Sequence, residues 1–228
     1  MKTKRVLKVQ AGPTKGPAAL RSRIAEEAGR LFLVRGFVGV TSDEIASRLG
    51  ISKATLYKAF PGKEAILREV VHGHMDDIQA GVERLLADRA LGFVDKLVAL
   101  LSFLSARLSR FGPVLVRDLQ RTAPQLWQEI EDFRRDKILK NFRIILEEGR
   151  REGCFRSDLD PDLLLAMFLD LVQEFVNPAA ILRTGRSPAE TFGSVIKVFF
   201  QGILTDKGRK SFFASVPALF ETGKESLP

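Results

Sequence analysis

The stretch GVTSDEIASRLGISKATLYKAF, from Gly39 to Phe60, holds two short helical patterns with only a few residues between them. Thr41 can cap the first, Glu44 stands three residues on to close a capping box, and Val40 can pack over Ile45 as a hydrophobic staple. Gly50 offers a stop, and Ser52 can cap a second pattern that runs to about Phe60. Helices of about eight residues are marginal alone, because nucleation costs more than so few turns return. They persist when packed on each other and on a supporting helix. Ile45, Leu49, Ile51, Leu56 and Phe60 supply the apolar face, and Ala46 is small enough for close approach. Two helices and a sharp connection at Gly50–Ser52 make a helix-turn-helix, whose second member enters the major groove of DNA.

The rest of that second member has no core duty. Lys53 and Lys58 can donate to guanine, Thr55 can donate, accept or touch a thymine methyl, and Ala54 offers apolar contact only. Ser52 projects the same way. Backbone amides near Thr41 and Ser42 are donors suited to a phosphate oxygen. Lys63 can hold another phosphate or simply sit solvated beside Glu64.

Outward from this stretch, charge agrees. Residues 1–63 carry thirteen Lys or Arg against four Asp or Glu, while residues 64–228 carry twenty-three against twenty-four. All of the +8 net charge therefore belongs to the N-terminal quarter. That is the footprint of a polyanion-binding head on a neutral body. Residues 1–17, rich in Lys, Pro and Gly, are expected to form a flexible basic arm. A first helix follows from Leu20, with Gly36 as its stop.

Beyond Lys63 the pattern is helical throughout, with no convincing strand alternation. A long segment from Lys63 is expected to be helical, with Gly73 and Gly81 as the weak points of its regularity. Further helices are expected over 93–111 and from Pro124 to the glycines of EEGRREGCF. Another is capped by Asp160 and runs toward Val176, where Pro178 ends or kinks it, and one is capped by Ser187 with Glu190 closing the box. The tail SFFASVPALF reads as either a terminal helix or a loop. The class expected is all-α: a basic arm (1–17), a helix-turn-helix DNA-binding domain (18–64) and a helical ligand-binding and dimerisation domain (65–228).

VTSDEIASRLGISKATLYKAFPGKEAIL resembles the N-terminal domain of the TetR family of bacterial transcriptional regulators. The matching positions are Thr41, Ile45–Ala46, Gly50–Ile51–Ser52, Thr55–Leu56–Tyr57, Phe60 and Lys63–Glu64, with Gly36–Phe37 ahead of them. Two positions depart from the family pattern. Ala54 stands where glycine is usual, which adds a methyl at the groove, and Ala59 replaces an aromatic residue or histidine that would reach the backbone. Leu49, where alanine is common, reads as core. The resemblance implies that Tyr57 and Lys63 touch the DNA backbone and that Lys53, Ala54 and Thr55 lie near bases. It further implies a homodimer on a palindromic operator, probed by a small-molecule effector inside the body. Leu164, Leu171 and Phe175, with Phe192, Ile196, Phe199 and Phe200, lie on the two late helices that would pack against their copies. Core packing alone explains those stripes equally well. Phe103, Phe111, Trp127, Phe142 and Phe168 are candidates to line a ligand pocket, with Arg107 for an acidic or carbonyl-bearing ligand.

Enzyme chemistry has no constellation to run on. No glycine-rich phosphate loop follows a strand, and Cys154, the single cysteine, lacks an activating histidine. His72 and His74 diverge on a helix, so no metal or cofactor is expected. The longest apolar run, LLLAMFL at Leu163–Leu169, is too short to span a membrane, and the basic N-terminus lacks the apolar core of a secretory signal. A cytoplasmic regulator, with a repressor's role, is the expectation. The rival is an all-helical ligand-binding or protein-interaction module that reads no DNA sequence.

Overall fold

In the computed structural model, which describes residues 16–108, 113–175 and 188–215, every element among those residues is a helix apart from one isolated bridge, Phe155 to Leu204. The arm up to residue 15, Phe111, Pro178 and Ser187 lie outside the described residues.

Helix α1 (Pro17–Arg35) begins on a proline, whose missing N–H costs nothing in a first turn, and buries Ile24, Ala28, Leu31 and Phe32. Helix α2 (Ser42–Leu49) starts where Thr41 Oγ1 accepts the Glu44 N–H at 3.2 Å. The Glu44 carboxylate turns instead to Arg35 of α1, so the capping box forms only in half. Gly50 ends the helix at φ +65°, and the Ile51 N–H donates back to the Ala46 carbonyl at 3.0 Å, a Schellman turn. Ser52 Oγ then accepts the Thr55 N–H at 3.0 Å to open α3 (Lys53–Ala59).

Helix α4 (Lys63–Ala87) is 25 residues long and belongs to two cores. Its Ile66, Leu67 and Val71 join the head with Phe32, Ile45, Leu56 and Phe60, and its Val82 joins the body. It runs unbroken through Gly73 and Gly81, and glycine has a packing role at the second of these. At Gly81 the reason is visible: a Cβ would lie 2.2 Å from the Phe103 ring of α5 (Phe93–Leu108), so only glycine admits that crossing.

Helix α6 (Pro113–Thr122) lays Leu115 and Leu119 into the head core, and α7 (Pro124–Arg151) spans the body over 28 residues. Asp160 Oδ1 accepts the N–H groups of Asp162 (2.8 Å) and Leu163 (3.1 Å) to cap α8 (Pro161–Phe175). Helix α9 (Pro188–Ile203) and α10 (Asp206–Ser215) complete the body. The tail thus turns helical from Asp206, earlier than the SFFASVPALF stretch, because Phe212 is fully buried and stacks on Phe200 with centroids 5.5 Å apart. The body core is a mesh of phenylalanines, with Phe142 stacked on Phe168 at 4.3 Å, Phe199 tilted against both and Phe200 edge-on beside them. Lys96, buried there, is matched by Glu148 at 2.7 Å.

Candidate nucleic-acid interface and effector cavity

Leu56 faces inward from α3 and is fully buried, which turns Lys53, Ala54, Tyr57 and Lys58 outward as a contiguous exposed surface beside Ser52. Thr55 is half-buried, its hydroxyl bonded to Ser52 Oγ at 2.8 Å. Lys53 Nζ lies 2.8 Å from Asp43 Oδ1 of α2, and that carboxylate raises the lysine above its ordinary pKa. Thr41 is exposed and Ser42 half-buried at the start of α2.

Lys63 behaves differently from both sequence-based roles. Its ammonium donates to the Phe37 carbonyl (2.9 Å) and the Val40 carbonyl (2.7 Å), and lies 4.2 Å from the Phe37 ring centroid. Burial pushes its pKa down. It therefore braces the loop that delivers Thr41 to α2, with two of three donors spent. Two further residues support α3 and that loop without any sequence signal. Arg21 donates to the Ala59 carbonyl at the end of α3, pairs with Glu69 at 2.6 Å and lies 4.0 Å over the Phe60 ring. Asp118 of α6 accepts the Val38 N–H at 2.9 Å. Gly36, at φ +76°, permits this approach, since a Cβ there would lie 2.5 Å from the Asp118 carboxylate.

Inside the body a cavity of about 240 Å³ lies among α4 to α9. Arg107, Trp127, Phe142 and Phe168 line it. Phe103 does not; its ring is pressed on Gly81, and the Arg107 guanidinium sits 4.9 Å from its centroid. The polar lining residues His74, Arg134, Lys137 and Asn141 were missed because isolated polar positions on long helices read as solvated. The available signal was their spacing: Trp127, Ile130, Arg134, Lys137, Asn141 and Ile145 recur every three or four residues along α7. Val116 and Leu119 of α6 close the side of the cavity toward the head.

The late helices spend most of their apolar stripes within one protomer. Leu164, Phe192, Ile196, Phe199 and Phe200 are buried, Leu171 is half-buried, and Phe168, Phe192 and Phe200 also line the cavity. Phe175 is 44% exposed, and the outer faces leave Leu163 (59%), Met167 (47%) and Val198 (72%) in the open. His72 bonds Glu129 of α7 at 2.7 Å, and Arg68 pairs with the same carboxylate. Cys154 is buried, and burial raises its thiol pKa. Among the described residues no group of three or more His, Cys, Asp or Glu could hold a metal ion, and no helix is long and apolar enough to cross a membrane.

A helix-turn-helix head joined through shared long helices, α4 and α7, to an all-helical body with an internal cavity defines a class of bacterial transcription regulator. Residues 24–70 match the family model described as bacterial regulatory proteins, tetR family. The transcriptional repressor KstR2 of Mycobacterium tuberculosis is 32% identical over 154 residues, covering 66% of this chain and 76% of that protein. An uncharacterized transcriptional regulator of Bacillus subtilis, YvaF, is 24% identical, covering 81% and 96%. Among solved structures, CprB of S. coelicolor superposes with a TM-score of 0.62 at 20% identity, covering 90% of this chain and 98% of that one. The chain belongs to the TetR family of bacterial transcriptional regulators.

Proposed function

We propose that the protein is a homodimeric repressor that holds a palindromic operator with its two heads and releases it when a small apolar or amphipathic ligand enters the cavity. The observation that carries this is the double duty of α6. Val116 and Leu119 form cavity wall, while Asp118 between them accepts the Val38 N–H just ahead of α2. A ligand that displaces α6 shifts the seat of α2, and with it the reading helix, because packed helices move as units.

On DNA, Lys53, Ala54 and Thr55 lie against bases, with Ser52 and Lys58 at the groove edge. Tyr57, Thr41 and Ser42 take phosphates, and Lys63 acts chiefly through the loop it braces. Two protomers meet across the outer faces of α8 and α9, where Leu163, Met167, Phe175 and Val198 are exposed. The burial of Leu164, Phe192, Ile196, Phe199 and Phe200 within one protomer moves the proposed seam to these outer residues. The repressor's role is carried over from the name of the KstR2 relatives.

Fragments selected from genomic DNA by the purified protein should share a two-fold motif, with affinity falling by orders of magnitude between low and moderate salt. Salt-insensitive or motif-free capture would favour the interaction-module alternative. With the operator in hand, Asp118→Ala, which removes the acceptor for the Val38 N–H, should bind it within a fewfold of the parent yet lose most of the ligand-induced release. Undiminished release would remove α6 from the coupling.

A further inference from the structure

We propose that the effector is an apolar carboxylic acid, its carboxylate held by Arg107 and Lys137 and its hydrocarbon part directed into the phenylalanine-lined end of the cavity. The assignment rests on the cavity being the effector site.

The register of three helices brings the two cations to one level. Lys96 of α5 pairs with Glu148 of α7 at 2.7 Å, and the Phe93 ring lies against Gly149 one residue farther along. The two helices therefore run in opposite senses. Eleven residues up α5 from Lys96 is Arg107, and eleven residues back down α7 from Glu148 is Lys137. Both side chains line the cavity. Helix α4 keeps the same register, since Gly81 meets Phe103 of α5 while Arg68 and His72 meet Glu129 of α7. On the side of this level away from the head, the walls beyond Asn141 are hydrocarbon and rings, among them Leu97, Leu101, Phe142, Phe168 and Phe200.

The other cations of this interior have carboxylate partners. Lys96 has Glu148, and Arg134 has Glu131 at 2.9 Å. Among the described residues Arg107 and Lys137 meet none. Their neighbours are rings, Phe103 at 4.9 Å and Phe133 at 5.7 Å, which attract a cation far less than an anion does. Both side chains are half-buried, where a charge is screened less than in open water. An entering carboxylate would lose its hydration shell and recover that loss from two cations. Asn141, one turn along α7 from Lys137, brings an amide that can donate to the second oxygen. A cationic amphipath would add a third positive charge to the pair, and a neutral alcohol would leave both cations as they were. The competing view is that the two side chains merely extend their heads to solvent over an apolar cavity, and it predicts no preference among head groups.

Trp127 is the single tryptophan of the chain and lines the cavity, so its emission reports occupancy in the intact protein. We would titrate the full chain with decanoate, decanol and decyltrimethylammonium, which share one hydrocarbon length. Decanoate should bind at least tenfold more tightly than decanol, and the ammonium should give no saturable response. The double substitution Arg107→Gln, Lys137→Gln should bring decanoate to the level of decanol while decanol affinity stays unchanged, which shows the cavity intact. Equal affinity for decanoate and decanol in the unsubstituted protein would overturn the carboxylate assignment and leave the cavity as effector site standing. Silence of Trp127 toward all three would overturn both.

Discussion

Lys53, proposed to lie against bases, does not stand free. Its ammonium pairs with Asp43 in the first turn of α2, and the carboxylate keeps it charged beyond the ordinary lysine pKa. Both partners are solvated, so the pair adds little to stability and chiefly sets where the side chain points. Asp43→Asn removes that restraint and one negative charge from the surface proposed to face phosphates. Affinity for arbitrary duplex should rise several-fold and the ratio of operator to random DNA should fall, as measured by competition at fixed salt. A rise in both affinities with an unchanged ratio would mean that Asp43 acts through its charge alone. Lys63 is the contrasting case at this scale. Its ammonium holds two carbonyls of the loop before α2, and desolvation lowers its pKa, as expected for a charge working inside the fold.

At the scale of elements, α4 and α7 each contribute to both cores, and two contacts of α4 can be tested separately. Alanine in a helix interior normally stabilises relative to glycine by roughly 0.5–1 kcal/mol. At Gly81 the sign should reverse, because the new methyl would meet the Phe103 ring at 2.2 Å. Gly81→Ala should cost about 1–3 kcal/mol in urea unfolding, and adding Phe103→Leu should restore part of it. The second contact is the clasp of Arg68 and His72 on Glu129, which ties α4 to α7. Hydrogen bonds from His72 and then Arg68 hold the Glu129 carboxyl below the ordinary glutamate pKa. A depressed acid stabilises the fold above its unfolded pKa and loses that contribution as pH falls through the folded value. The stability gap between the parent and Glu129→Gln should therefore be present at neutral pH and close in acid. Being largely exposed, the clasp should account for no more than about 1 kcal/mol of that gap. A gap that persists unchanged below the glutamate range would assign it to packing instead.

Taken as a whole, the molecule places a ligand chamber and a DNA-reading head on opposite sides of α6, with α4 running through both cores. Two heads gain enough base contacts for discrimination only when a dimer fixes their spacing. The exposed apolar residues of α8 and α9 are the surface proposed for that purpose. Val198, 72% exposed, touches little within its own protomer, so Val198→Glu should leave the fold intact. Sedimentation should show the parent as a dimer and the variant shifted toward monomer, with operator affinity lost in parallel. A variant that stays dimeric would move the seam away from the outer face of α9.

What the sequence settled by itself were features with short-range causes. Caps at Thr41, Ser52 and Asp160, the stop at Gly50 and the period of the long helices depend on groups a few residues apart, and each stands where the residues put it. Trp127, Phe142, Phe168 and Arg107, named from the sequence as pocket candidates, line the cavity, whereas Phe103, named on the same grounds, does not. The tertiary structure alone decided how shared partners are divided. Glu44 leaves its capping box for Arg35, Lys63 finds carbonyls more than twenty residues away, and Gly81 makes room for Phe103. It also decided which side of α8 and α9 faces the cavity and which faces outward. One-dimensional periodicity marks an apolar stripe, whereas its neighbour across space is set by the packing of every other helix at once.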